Sequence, residues 1–248
     1  MINLSVLPST TLIGRICRYP LRIVPKTMTV PILQGPLRGK KWIVGSQRHA
    51  FWLGGYEPHL QRLIAREVKP GEIFYDVGAN VGFYSLLASV LVGPGKVFAF
   101  EPLPANVAYL RQHLVLNSAE NVEVLELAVC DQVGVLSFRT ERTGAMGRLE
   151  TCGDIQVPTT TLDSLLHEGK IPPPTYIKID IEGTEFRALM GAKTCFEKYK
   201  PTLFLATHDE EVHRRCCDLL RCWKFDIKPI AQTSEGRAEI FACSPRQL

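Results

Sequence analysis

Two short runs in this chain carry residue types able to recognise a ribose: Tyr75-Asp-Val-Gly-Ala-Asn-Val-Gly-Phe-Tyr84 and Phe100-Glu-Pro102. In the first, an apolar strand feeds a tight loop, and Gly78 and Gly82 let its backbone approach a ligand ahead of a helix N-terminus. About 20 residues later Glu101 closes the next strand, where its carboxylate can accept from both ribose hydroxyls. A third run, Tyr176-Ile-Lys-Ile-Asp-Ile-Glu182, alternates so that Lys178, Asp180 and Glu182 share one face, opposite three isoleucines. Two carboxylates at such a strand end suit polar contacts with substrate or cofactor, and Lys178, if buried, needs one of them as a partner. His208 follows the apolar run Thr202–Ala206, and its imidazole can take a hydroxyl proton near neutral pH. A histidine bonded to backbone at a strand terminus is the structural alternative. No Ser/His/Asp or Cys/His arrangement for covalent catalysis stands out.

The elements that position these residues follow from periodicity. Strands are predicted at Ile73–Val77, Lys96–Phe100, Val122–Val129, Tyr176–Ile181 and Thr202–Ala206, alternating with helices. The helix after Gly82 is expected to bury Phe83, Leu86, Leu87, Val90 and Leu91. The helix after Asp209 places Val212, Cys216, Leu219 and Leu220 in register, with Asp209 as a candidate cap. Such alternation is the signature of a parallel sheet. The runs 225–230 and 238–243 are joined by too short a turn for a parallel crossover, so they must be antiparallel. Two further runs, 134–138 and 155–161, read as arms of a β-excursion around a polar loop containing Gly144, Met146, Gly147 and Arg148. Before residue 51, Pro20, Pro25, Pro31 and Pro36 exclude long helices, and 31–45 reads as a pair of short strands. This N-terminal stretch, 1–50, is taken as a cap on a main domain, 51–248.

A nicotinamide fingerprint starting at Gly78 needs glycine at positions 80 and 83, where Asn80 and Phe83 stand. The spacing Gly78-x-x-x-Gly82 fits an adenosylmethionine-type loop better. On the residues alone a transferase using such a donor, a nicotinamide-dependent oxidoreductase and a non-catalytic nucleoside-binding protein all stay open.

The runs Asp76–Tyr84, Phe100–Pro102, Thr159-Thr-Thr-Leu-Asp163 and Lys178-Ile-Asp-Ile-Glu-Gly-Thr-Glu185 together resemble the FkbM-type methyltransferase family, over roughly residues 51–206. The resemblance implies a Rossmann-like doubly wound α/β fold, with a mostly parallel seven-stranded sheet and an antiparallel C-terminal strand. It implies S-adenosyl-L-methionine as cofactor and a hydroxyl of a small molecule or carbohydrate as acceptor. Carried over by motif, Asp76, Gly78, Asn80 and Gly82 would cradle the methionine part, Glu101 the ribose, and Asp131 the adenine amino group. On their own chemistry, Asp180, Glu182 and His208 are the candidate catalytic residues. Tyr56-Glu57 after Trp52-Leu-Gly-Gly55 matches a recurrent motif ahead of the family's domain, and would contact substrate or close as a lid.

Bulk properties narrow the classes. The chain has 248 residues, 46% hydrophobic and 22% charged, enough for a self-sufficient core. A net charge of +4 is too mild to argue for nucleic acid, although the first 50 residues hold eight basic and no acidic side chains. Eight cysteines form no C-x-x-C pair, so free thiols are expected and no metal. No apolar stretch approaches the roughly 20 residues of a membrane helix. Met1–Leu12 lacks the basic start of a signal peptide, so a cytoplasmic location is expected by default. Besides His208, the histidines at 49, 59, 113, 167 and 213 are expected on the surface. Oligomeric state leaves no trace.

Overall fold

The computed structural model describes residues 21, 23–140, 147–149, 153, 155–232 and 237–245. Most of the N-terminal stretch before Pro25, the polar loop 141–146 of the excursion and the turn 233–236 lie outside them.

The chain opens on an antiparallel hairpin, β1 (Thr29–Pro31) and β2 (Lys41–Ile43), followed by α1 (Ala50–Leu53) and α2 (Pro58–Glu67). The main domain then alternates β3 (Ile73–Val77), α3 (Phe83–Val92), β4 (Lys96–Phe100), α4 (Pro104–Leu116) and β5 (Val122–Leu125). It resumes after an excursion with β10 (Tyr176–Ile179), α6 (Glu185–Met190), α7 (Lys193–Tyr199), β11 (Thr202–Thr207), α8 (Glu210–Cys222), β12 (Asp226–Gln232) and β13 (Ala238–Cys243). The main sheet runs β12-β13-β11-β10-β3-β4-β5, parallel except where β13 pairs antiparallel with both β11 and β12. The doubly wound fold expected from alternation is therefore the fold observed. Its five inner strands, β13, β11, β10, β3 and β4, are buried on both faces, as helices packed on each side of such a sheet require. Asp209 caps α8 as anticipated, its carboxylate accepting from the Val212 amide at 3.0 Å.

Three local readings are corrected. The stretch 122–129 is not one strand: β5 ends at Leu125, and β6 (Ala128–Val129) joins a second sheet, β6-β9-β7-β8, with β7 (Gly134–Thr140), β8 (Gly147–Leu149) and β9 (Ile155–Thr160). The chain turns there because Ala128 and Val129 pair with Thr159 and Thr160 of β9 rather than continuing along β4. Val90 is 42% exposed, since α3 buries residues on nearly all other sides. The helix α5 (Leu162–His167), begun by Thr161 accepting from the Ser164 amide, was hidden in a segment read only as a motif.

His113 is a further correction, for it is fully buried rather than on the surface. It lies on α4, stacked on Trp42 of the hairpin with ring centroids 3.8 Å apart. Its Nδ1 donates to the Val81 carbonyl at 2.8 Å and its Nε2 accepts from the Ile43 amide at 3.1 Å. One turn on, Asn117 accepts from the Lys41 amide at 2.8 Å and donates to the Lys41 carbonyl at 2.9 Å. Side chains of α4 thus satisfy the outer edge of β2 as a neighbouring strand would. Ile32, Leu37, Trp42 and Val44 join the same apolar cluster as Phe74, Phe83 and Leu87, so the core runs continuously across position 50. Among the described residues no helix is long and apolar enough to cross a membrane.

Burial pushes the His113 imidazole down to about 4, against the opposing pull of its bond to Val81. The folded state therefore binds this proton less readily than the unfolded chain, so its stability is intact above pH 6.5 and declines as pH falls from there toward 4. The loss expected from this one group is about 3 kcal/mol. Urea denaturation at pH 7.5 and pH 5 checks this. A His113→Gln variant should show a shallower fall over that interval than the parent, and an equal fall would assign the acid sensitivity elsewhere.

Candidate active site

The loop after β3 and the ends of β4 and β10 meet at the carboxyl edge of the sheet, where ligands of doubly wound folds collect. A cavity opens there. Gly78 turns the chain with φ +84°, and a Cβ at this position would lie 2.0 Å from the Asp180 carbonyl oxygen. Glycine is thus required for the loop to pass the end of β10. Asn80 also has positive φ, 49°, which asparagine tolerates because its side chain bonds locally: Oδ1 accepts from the Val81 amide at 2.8 Å. Gly82 begins α3, packed so closely on Leu110 that a Cβ would sit 2.3 Å from its Cδ1. Gly78 and Asn80 line the cavity, whereas Gly82 holds the helix that shapes it.

Glu101 faces the same cavity from the end of β4. Its Oε2 accepts from the Asn80 amide at 2.8 Å, and its Oε1 accepts from the Leu103 amide at 3.0 Å and from Asn106 at 3.1 Å. Burial raises its pKa, and these three donors oppose the rise. Each carboxylate oxygen retains acceptor capacity for a hydroxyl pair. Opposite it, Leu127, Ala128, Val129 and Phe138 form an apolar wall suited to a planar ring. Asn106 and this wall escaped the sequence reading. The wall belongs to the excursion, whose pairing no local pattern announced.

Two expected contacts lie elsewhere. Asp131 does not line the cavity; it follows β6 in the second sheet and pairs with Arg187 at 2.7 Å on the surface. Asp76 is fully buried behind the loop, accepting from Ser85 Oγ at 2.7 Å and lying 3.5 Å from Lys178 Nζ. Its role is to anchor Lys178, which also lies 3.7 Å from Asp180 and 4.8 Å from the centre of the Tyr84 ring. Burial works against the Lys178 charge, yet Asp76 and Asp180 hold its pKa above the ordinary value.

The structure does bring Asp180, Glu182 and His208 together. His208 Nε2 lies 3.3 Å from Asp180 Oδ1 and 3.4 Å from Glu182 Oε2, and Nδ1 lies 2.9 Å from Glu185 Oε1. Glu185 is fully buried and also accepts from the Gly183 amide at 2.9 Å. Burial disfavours the His208 charge, but the Glu185 bond and the two other carboxylates raise its pKa overall. Desolvation raises Glu182, while Asp180, although buried, is lowered by Lys178 and Arg237.

Tyr56 and Glu57 sit beside this cluster. Tyr56 stacks on Phe51 at 3.9 Å. Glu57 accepts from Tyr84 at 2.7 Å and from Arg237, whose guanidinium also lies 3.5 Å from Asp180 and 3.7 Å from Glu239. Burial, reinforced by Glu57, pushes Glu239 up to about 7. Arg237 was missed in the sequence because only the antiparallel insertion of β13 beside β11 carries it to the site.

A buried acid at the end of the second strand of the main domain, a glycine turn after the first and a polar cluster at the fourth and fifth are arranged as in a methyltransferase-type Rossmann fold. A solved precorrin-6y C5,15-methyltransferase from Geobacter metallireducens shares this architecture, with TM-score 0.51, 14% identity, and 76% of this chain and 89% of that one covered. The model of the methyltransferase FkbM domain matches residues 76–227, and the chain belongs to that family. Two relatives are the hexuronic acid methyltransferase AglP of Haloferax volcanii, 29% identical over 137 residues, and the 31-O-demethyl-FK506 methyltransferase FkbM of Streptomyces tacrolimicus, 30% identical over 162. The matches cover 54% and 51% of this chain, and 56% and 62% of the relatives' own lengths.

The contact at Gly78 yields a test. Gly78→Ala meets both a forbidding φ and the Asp180 carbonyl, whereas Gly71→Ala, with φ +86° and nothing within 4 Å, meets only the first. Strain of the first kind costs about 1–3 kcal/mol. Gly78→Ala should lose distinctly more than Gly71→Ala in denaturant titration; equal losses would show that the loop can retreat from β10.

Proposed function

We propose that this protein transfers a methyl group from S-adenosyl-L-methionine to a hydroxyl oxygen of a small-molecule or carbohydrate acceptor. The observation that carries the reading is Glu101 and the glycine turn at one end of a single cavity whose other end is bounded by Asp180 and Glu182. The residues fit the donor: a buried carboxylate with spare acceptor sites for ribose, an apolar wall for a purine, and excess negative charge toward a sulfonium. When bound, that donor supplies a methyl group activated by the positive charge on sulfur. The chain's own work is placement, since holding two reactants in line accounts for much of the barrier in such a displacement. Asp180, Glu182 and His208 orient the acceptor hydroxyl and provide for loss of its proton as the oxygen–carbon bond forms. The printed names of the two relatives, a hexuronic acid methyltransferase and a 31-O-demethyl-FK506 methyltransferase, support an oxygenated acceptor.

Calorimetry with S-adenosylmethionine, S-adenosylhomocysteine and NAD(H) tests the donor: heat with the first two and none with the third is expected. Glu101→Ala should weaken S-adenosylhomocysteine by roughly 1.5–3 kcal/mol, the usual worth of hydrogen bonds to a charged group. An unchanged dissociation constant in the folded variant removes Glu101 from the site. Labelled-methyl transfer across sugar, lipid and polyketide hydroxyls tests the acceptor. On an acceptor so found, His208→Ala should lower turnover by about 10²–10⁴-fold with donor affinity nearly intact. Near-normal turnover would make His208 structural.

A further inference from the structure

The donor atoms of Asp180, Glu182 and His208 converge on one small volume. One atom from each side chain lies within 4.8 Å of the others. We propose that these three residues bind a divalent cation, which holds and polarises the acceptor hydroxyl; the catalytic part of this inference rests on the hydroxyl-methylation reading above, while the cation site stands independently of it.

Unsatisfied geometry is the first support. Asp180 Oδ1 and His208 Nε2 are both sealed from solvent, and neither has a hydrogen-bond partner. Their separation of 3.3 Å, and that of Nε2 from Glu182 Oε2 at 3.4 Å, exceed the 2.7–2.9 Å of charge-assisted hydrogen bonds. Buried polar atoms left in this way call for a ligand between them. The orientation of the ring is the second support. Glu185 engages Nδ1 at 2.9 Å, which turns Nε2 toward the two carboxylates. Metal-binding histidines are held in the same manner, by a carboxylate on the far ring nitrogen.

Charge is the third. Asp76, Asp180, Glu182, Glu185, Glu57 and Glu239 surround two permanent cations, Lys178 and Arg237, and one imidazole. Lys178 and Arg237 both approach Oδ2 of Asp180, so Oδ1 is the oxygen turned to the cluster. With the imidazole neutral, a divalent ion would halve the excess of negative charge in this group. Two carboxylates and one imidazole suit manganese or magnesium and leave coordination positions open. Those positions face the cavity, because Asp180 and Glu182 line it.

An alcohol bound to the ion is more acidic than a free one, as bound water is. Its proton leaves to solvent, the oxygen–methyl bond forms, the sulfur–methyl bond breaks and the electron pair stays on sulfur. The expectation of no metal rested on spacing along the chain, whereas these ligands come from the ends of two strands that meet only in the folded sheet.

Manganese titration of the EDTA-treated full chain, followed by calorimetry and by loss of the free-ion paramagnetic resonance signal, tests the site. One ion per chain is expected. His208→Ala and Glu182→Gln should each weaken it at least tenfold, and Glu185→Gln by about 10–100-fold as an outer-sphere partner. No binding up to about 1 mM manganese, which corresponds to some 4 kcal/mol of affinity, overturns the inference. So does binding that Glu182→Gln and His208→Ala leave unchanged. Stoichiometric manganese binding without any S-adenosylhomocysteine binding would keep the cation site and remove the methyl-transfer reading instead.

Discussion

A lysine ammonium sealed inside the sheet is the constraint on which the rest of the site depends. Lys178 is 3% exposed, in the middle of β10, between β3 and β11. An unpaired charge at such a depth would cost several kcal/mol, so carboxylates must meet it. Register supplies one directly, because Lys178 pairs with Asp76 across β3. Alternation supplies the other at Asp180. Asp180 in turn draws Arg237, which fixes Glu57, and Glu57 receives the Tyr84 hydroxyl. Charge compensation begun in the core thus travels outward to the cavity rim, and positions groups from the first helices and the last strand around one carboxylate.

This explains why Asp76 is structural although it opens the glycine loop. A carboxylate placed there could face either the ligand or the core, and the neighbouring strand decides. With lysine opposite, it faces the core, and the loop turns backbone rather than this carboxylate toward the cavity. The Gly78 turn and the Asp180 carbonyl then press together so closely that the loop and the strand end form one rigid corner.

Much of this was legible beforehand, for physical reasons that also mark the limits. The alternation of strands and helices, the place of Glu101 at a strand end and the shared face of Lys178, Asp180 and Glu182 all follow from local periodicity. Asp131 was misplaced because hydrophobic pattern does not reveal a strand that changes sheets: Val122 to Val129 reads identically whether it continues or turns. Arg237 and the excursion wall depend on pairings between segments far apart in the chain. His113 was misjudged because a polar side chain on a helix looks solvated until its two backbone partners, Val81 and Ile43, are known.

The grip of α4 on the hairpin bears on how the chain can be divided. By composition, residue 50 looks like a seam, with a proline-rich, basic stretch on one side and the Rossmann-like pattern on the other. A fragment starting at Phe51 would nevertheless carry an open socket where Trp42 stacks on His113, and a helix edge whose Asn117 had lost the Lys41 backbone. In shuffling or trimming this protein, the hairpin travels with the main domain, and so do Lys26 and Met28, whose carbonyls accept from the Gly45 and Val44 amides.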